Sequence, residues 1–163
     1  STLGKGTEFI VELYIPIANR EDKDESEELV VDYDFTGKKV LLVEDNELNV
    51  IVAKRLLEKK GFEVDVAVNG ELAVKYYGES ERDYYDAILM DVRMPVMNGL
   101  EATRTIRKLT RVDAMKIPII AMTADAFEEE QKQMLKAGMN DHLEKPINPS
   151  KVYETLYKWI NRR

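Results

Sequence analysis

The stretch Ile88-Leu89-Met90-Asp91-Val92-Arg93-Met94-Pro95 decides the fold. An apolar run from Ala87 to Met90 ends in one aspartate, and Pro95 interrupts the chain soon after. Such a run reads as a strand buried on both faces, the kind a parallel sheet contains. Asp91 then falls at the strand's C-terminal end, the edge at which open α/β sheets bind ligands. A carboxylate there is a metal ligand, a nucleophile or a cap on the next loop. The choice rests on what other segments deliver to the same edge.

Outward from this strand the chain alternates. Val40 to Val43 is a short apolar strand running into Glu44-Asp45; Asn46 is a good N-cap, and Leu48, Val52, Leu56 and Leu57 make a helical stripe up to Gly61. Phe62 to Val68 alternates as a second strand, and Asn69-Gly70 leads into an amphipathic helix running to about Tyr77. Tyr85 to Met90 is the third strand and Gly99 to Leu109 the third helix. Ile117 to Met122 is the fourth strand, ended by Thr123. Asp125 to Ala137 is the fourth helix, with Gly138 at its C′ position. Asp141 to Leu143 makes a short fifth strand, and Asn148-Pro149-Ser150 opens a last helix that buries Val152, Leu156, Trp159 and Ile160. Five strands alternating with five helices predict a flavodoxin-like, doubly wound α/β fold with a parallel sheet of order 2-1-3-4-5.

Residues 1–37 differ in character. Thr7 to Ile15 is β-branched and aromatic and reads as one strand, whereas Asn19 to Asp34 carries eight acids against Arg20 and Lys23. Residues 19–37 are therefore expected to be an acidic linker, and the arm before them to be disordered, paired with a sheet edge, or left from an upstream domain. The length of 163 residues suits one domain plus such an extension, and an apolar fraction of 44% is enough for a core. Cysteine is absent, which excludes a disulfide framework and thiolate metal sites. A net charge of −7 argues against nucleic-acid binding. No apolar run approaches the roughly 20 residues of a membrane span, so no membrane contact is expected of this piece. A cytoplasmic location is expected, with a membrane-anchored parent left open. The single histidine, His142, excludes a multi-histidine zinc site.

Polar residues just past the strand ends converge. Strand 1 gives Glu44 and Asp45, strand 3 Asp91, strand 4 Thr123 and strand 5 Lys145. In the order 2-1-3-4-5, strands 1 and 3 are neighbours at the switch point, so three carboxylates meet there. They repel unless a hard cation sits among them, and Mg²⁺ suits such an oxygen set because it keeps waters and shares phosphate oxygens. Lys145 and Thr123 can hold two phosphoryl oxygens, which leaves Asp91 as nucleophile for an in-line phosphoryl transfer. Singly, each residue has a plainer reading: a dipole-complementing acid, a turn aspartate, a cap, a surface lysine. Jointly, in strand order, coincidence is a poor account.

Residues 38–163 resemble a response-regulator receiver domain of two-component signalling. The matching pieces are VLLVEDN (Val40 to Asn46), ILMDVRMPVMNGLEATRTIR (Ile88 to Arg107), PIIAMTADA (Pro118 to Ala126) and HLEKPI (His142 to Ile147). The resemblance implies that Asp91 accepts a phosphoryl group from a histidine. It further implies that Mg²⁺ (or Mn²⁺) is bound by Asp45, Asp91, Glu44 through water, and the backbone carbonyl of Arg93. Thr123 and Lys145 would grip the phosphoryl oxygens, with a cis bond between Lys145 and Pro146 aiming the lysine. The family's switch position is commonly tyrosine or phenylalanine; here it is His142, read either as a half-buried edge-strand residue or as a smaller rotamer switch coupled to Thr123. Arg93 and Asp125 flank the path of a hydrolytic water and are expected to tune the phosphate's lifetime.

Gly4-Lys5-Gly6-Thr7-Glu8-Phe9 within residues 1–18 resembles the last strand of a histidine-kinase ATP-binding domain. The chain then looks like the C-terminal piece of a hybrid sensor histidine kinase. Its expected partners are that kinase core and a histidine-phosphotransfer protein, with a dimer through the helix 4–strand 5–helix 5 face or the N-terminal arm also open. No DNA-binding output domain is expected. A haloacid-dehalogenase-type phosphatase needs a second acid two residues after its nucleophile, where Arg93 stands. A flavin-phosphate site is disfavoured by the acidic Glu44-Asp45 loop. The remaining alternative is a degenerate receiver that acts only as a protein-interaction module.

Overall fold

The computed structural model of the chain describes residues 32–124 and 127–162. The arm expected over 1–18, most of the linker, and Asp125 lie outside them. Five parallel strands, β1 (Lys39–Val43), β2 (Glu63–Ala67), β3 (Ala87–Asp91), β4 (Ile119–Thr123) and β5 (Asp141–Glu144), lie in the order β2-β1-β3-β4-β5. The predicted topology is the observed one. Between the strands run α1 (Glu47–Glu58), α2 (Gly70–Glu79), α3 (Gly99–Arg107), α4 (Glu128–Ala137) and, last, α5 (Pro149–Ile160).

Alternation along each strand divides the core. Leu41, Val43, Ile88, Met90 and Ile119 pack under α2, α3 and Met134 of α4. Val40, Leu42, Leu89, Ile120 and Met122 pack under α1 and α5, against Leu57, Val152 and Leu156. Because β1, β3 and β4 are covered on both faces, their sequences are continuously apolar, which is why periodicity alone marks them as central strands.

Four of the five helices begin at an asparagine. Asn46 accepts from the Asn49 amide at 3.1 Å, Asn69 from Leu72 at 2.8 Å, and Asn148 from Ser150 at 3.0 Å. Asn98 forms a capping box with Glu101. The exception is α4, whose N-cap residue Phe127 makes no side-chain cap bond. Composition places the start of α4 at Asp125, but the helix begins at Glu128. Glu128, Glu129 and Glu130 fill its first turn and complement the dipole there.

Two features have no counterpart in the sequence reading. Residues 32–37, assigned by composition to the linker, pack on the domain: Phe35 is 2% exposed and stacks on Phe62 with ring centroids 4.2 Å apart. Between α3 and β4 a 3-10 turn, Val112–Met115, carries a buried clasp. The Arg111 guanidinium forks onto Asp113 with two 2.7 Å bonds, donates to the Glu81 and Ser80 carbonyls at 2.8 and 3.1 Å and to that of Tyr77, and lies over the Tyr77 ring. It thereby closes the Tyr77 carbonyl in the last turn of α2 and the two carbonyls just past the helix end.

These arrangements carry two predictions. Arg111 hydrogen bonds hold the Asp113 carboxyl well below the usual carboxylate range. A depressed carboxylate contributes stability above its unfolded value near ~3.9 and loses it as pH falls toward its folded value. Asp113→Asn should therefore cost about 2–3 kcal/mol in denaturant melts at pH 7, with the gap to the parent chain narrowing below pH ~4. At Gly99, an added Cβ would stand 2.1 Å from the Asp91 carbonyl oxygen and 2.9 Å from Met90 Cγ, whereas at Gly78 in α2 the nearest atom is 3.9 Å away. Gly99→Ala should lower stability by about 1–3 kcal/mol despite alanine's better helix propensity. Gly78→Ala should raise it by about 0.5–1 kcal/mol, since only propensity changes there; thermal melts of both read the difference in sign.

Candidate functional site

The C-terminal edge of the sheet gathers its residues by register. Met90 pairs with Val43, so Asp91, ending β3, lies level with Glu44, which follows β1. Met122 pairs with Asp91 and Thr123 with Glu144, so Thr123 and Lys145 come to the same edge from β4 and β5. The Lys145 amide donates to the Thr123 carbonyl at 2.8 Å, and the Lys145–Pro146 peptide is cis, as expected.

The lysine ammonium sits between two buried carboxylates. Lys145 Nζ lies 2.6 Å from Glu44 Oε2 and 2.7 Å from Asp91 Oδ2. Glu44 and Asp91 are 1% and 6% exposed, so neither has water enough to solvate a charge alone. The remaining oxygens are also engaged: Asn49 Nδ2 donates to Glu44 Oε1 at 2.9 Å, and the Arg93 amide donates to Asp91 Oδ1 at 3.1 Å. Burial pushes the Asp91 carboxyl upward, with the Lys145 and Arg93 hydrogen bonds pulling the other way. At Lys145 burial favours the neutral amine, but hydrogen bonds to Asp91 and Glu44 outweigh it and the ammonium is held more firmly than usual.

Asp45 completes an acidic group, with one oxygen each of Glu44, Asp45 and Asp91 lying within 4.8 Å of one another. Two members are buried and Asp45 is exposed, so the cluster opens to solvent on one side. An all-oxygen donor set with an open side fits Mg²⁺, which retains waters, and fits no soft metal. Thr123 is 2% exposed at the end of β4.

The loop after Asp91 is shaped by close contacts. The Met97 amide donates to the Pro95 carbonyl at 2.8 Å around Val96, which has φ +69° and is 77% exposed. A β-branched residue in that region is strained, and the strain lies in the loop between Asp91 and α3. Gly99 donates to the Val92 carbonyl at 3.1 Å, which brings the start of α3 against the end of β3.

Not every expected residue joins this edge. Arg93 Nη2 pairs with Glu130 Oε1 of α4 at 2.7 Å, a partner the sequence reading did not contain. Asp125, expected with Arg93 to flank the hydrolytic path, lies outside the described residues. His142 is half-buried on the edge strand β5, opposite Ala121, with its Nε2 3.5 Å from Gln131 Nε2 of α4. It stands between two surface cavities of about 220 and 250 Å³, one walled by α4 and one by α5. Asn49 carries no mark in the sequence beyond its place in the first turn of α1, four residues past Asp45.

The model of the family described as response regulator receiver domain matches residues 40–157. Hybrid signal transduction histidine kinase I of Dictyostelium discoideum is 43% identical over 121 residues, which cover 73% of this chain and 7% of that protein. The aerobic respiration control sensor protein ArcB of Escherichia coli (strain K12) is 38% identical over 148 residues, covering 91% of this chain and 18% of ArcB. The chain thus spans less than a fifth of either kinase. Among solved structures, the receiver domain of sensor histidine kinase PA1611 from Pseudomonas aeruginosa PAO1, with a magnesium ion coordinated in its active site cleft, aligns with TM-score 0.69 and 40% identity over 77% of this chain and 99% of that one. A receiver domain of the Saccharomyces cerevisiae response regulator Ssk1, in complex with the histidine phosphotransfer protein Ypd1, aligns with TM-score 0.66 and 28% identity over 75% of this chain and 88% of the other. Among the described residues no helix is long and apolar enough to cross a membrane. With the fold, the strand-end residues and these relatives in agreement, the chain belongs to the response-regulator receiver domains of two-component phosphorelay signalling.

Proposed function

We propose that Asp91 is the phosphoacceptor and that it takes its phosphoryl group from a phosphohistidine. One observation carries the reading: a lysine ammonium bridges two buried carboxylates, and a third carboxylate beside them leaves an open side. Asp91 Oδ attacks phosphorus in line, the P–N bond breaks, and its electron pair leaves with the donor's imidazole. Lys145 and Thr123 hold the equatorial oxygens as charge grows on them. Glu44, Asp45, Asp91 and the Arg93 carbonyl are the residues that would hold Mg²⁺ (or Mn²⁺), which when bound neutralises charge on the phosphoryl oxygens. Mg²⁺ in the cleft of the PA1611 receiver supports this choice.

The switch we assign to Thr123 and His142. Thr123 drawn toward the phosphoryl group vacates space, and cavities on both sides of His142 leave room for its ring to follow. Arg93, clamped to Glu130, and Asp125 would then set how readily water reaches the acyl phosphate. Phe127 and Leu135, 73% and 65% exposed on the α4 side, offer apolar surface to a second copy of the domain.

The donor or acceptor histidine belongs to the kinase core of a parent hybrid kinase or to a histidine-phosphotransfer protein. A surface for such a partner flanks the acidic edge: Leu48, Ile51 and Val52 of α1 are 69%, 43% and 54% exposed at helical spacing. The Ssk1 receiver solved with Ypd1 supports a partner of that class.

Intact mass after incubation with Mg²⁺ and acetyl phosphate tests the chemistry. A single phosphoryl adduct is expected, absent from Asp91→Asn and absent when Mg²⁺ is chelated; an adduct that survives in the variant would move the nucleophile elsewhere. The docking surface has its own readout. Leu48→Asp with Val52→Asp should slow transfer from a phosphohistidine protein by about 10-fold or more, while labelling by acetyl phosphate stays unchanged.

A further inference from the structure

Helices α1 and α5 share an unusual property: each begins at the acidic edge and each ends against the same short segment of chain. α1 starts two residues after Asp45, and Asn49 in its first turn holds Glu44. α5 starts at Pro149, just after Lys145–Pro146. Over 12 residues each, both run about 18 Å away from the site. At their far ends lies the strap of residues 32–37.

That strap is held firmly. Phe35 stacks on Phe62 at 4.2 Å between centroids and lies 6.5 Å from the Tyr153 ring of α5. Tyr33 lies 5.3 Å from the Tyr157 ring one turn further along α5. The Phe35 amide donates to the Lys60 carbonyl at 2.9 Å, just past α1, and Lys60 Nζ reaches Asp32 at 2.6 Å. Gly61, at φ +91°, makes way for it: a Cβ there would fall 2.8 Å from Thr36 Oγ1. Across the groove, Tyr153 Oη donates to the Leu56 carbonyl at 2.9 Å and ties the two helices together. A merely solvated acidic linker needs none of this aromatic packing.

We propose that residues 32–37 are a coupling strap, through which the state of the phosphoacceptor site is felt by the chain that precedes residue 32. The proposal rests on the assignment of Asp91 as phosphoacceptor. The site repositions Lys145 and Glu44 when phosphoryl oxygens enter; α5 and α1 carry that displacement to the aromatic contacts, and the strap's hold changes. Coupling of this kind is reciprocal, so whatever pulls on the strap from upstream biases the site by the same factor. The communicating partner is the upstream part of the same polypeptide, reached through rings that no solvent-exposed linker would keep.

The test is amide hydrogen exchange on the full chain with Mg²⁺, with and without beryllofluoride as phosphoryl mimic, beside the intact-mass assay. The expected result is a change of about threefold or more in exchange of residues 32–38, where the Phe35 and Lys38 amides are bonded. Tyr157→Ala should cut that response by about half or more while forming the adduct like the parent chain, since Tyr157 is half-exposed and outside the core. A response around Thr123 and Lys145 with none in residues 32–38 would overturn the coupling and leave the phosphoacceptor standing. A chain that forms no adduct and responds nowhere would overturn the phosphoacceptor reading and the coupling with it.

Discussion

Everything at the C-terminal edge answers to the burial of two carboxylates. Glu44 and Asp91 are almost without water, and neither can be ionised there unless a cation is brought to them. Lys145 is that cation, supplied from a strand two positions along the sheet from Asp91. Its place depends on register. With Thr123 opposite Glu144, the next residue of the chain stands at the edge; a slip of one residue would turn the lysine to the other face and leave the acids unpaired. The parallel order, the length of β5 and the cis Lys145–Pro146 peptide are thus parts of one arrangement. The same burial favours the proposed chemistry, because the lysine faces Asp91 with little competing water.

The sequence declared its central strands because both faces of β1, β3 and β4 are covered, so their apolar runs are unbroken. It declared Glu44, Asp91 and Thr123 because each is a polar residue directly after such a run, whereas Lys145 follows the mixed strand β5. Asparagines at 46, 69, 98 and 148 marked four helix starts through the same chemistry, a short side chain reaching an unpaired amide. What stayed hidden depends on distant partners. Arg111 and Asp113 look like loop charges until the carbonyls ending α2 are brought to them. Tyr33 and Phe35 sit among acids, and composition averaged over the segment masked two rings that meet Phe62 and α5. Arg93 has several acids within reach in sequence terms, and only the packing of α4 chooses Glu130.

Two sides of the site are built with unequal firmness. Toward β1 and α3 the backbone is locked: Gly99 approaches the Asp91 carbonyl so closely that no side chain fits, its amide bonds the Val92 carbonyl, and Asn98 caps the helix with a reciprocal box. Toward α1, Asn46 and Asn49 hold the helix start and Glu44 together. Contacts of this kind do not absorb a displacement at the site; they pass it along α1 as a unit, as the proposed coupling requires.

On the α4 side the helix starts differently, since its N-cap residue Phe127 makes no side-chain cap bond. In place of an asparagine cap, three glutamates fill the first turn of α4 and complement the dipole there. A helix start that leans on charge in place of a cap answers to the ionic strength of the solvent. Salt, which screens glutamate–dipole attraction, would soften it without touching the core.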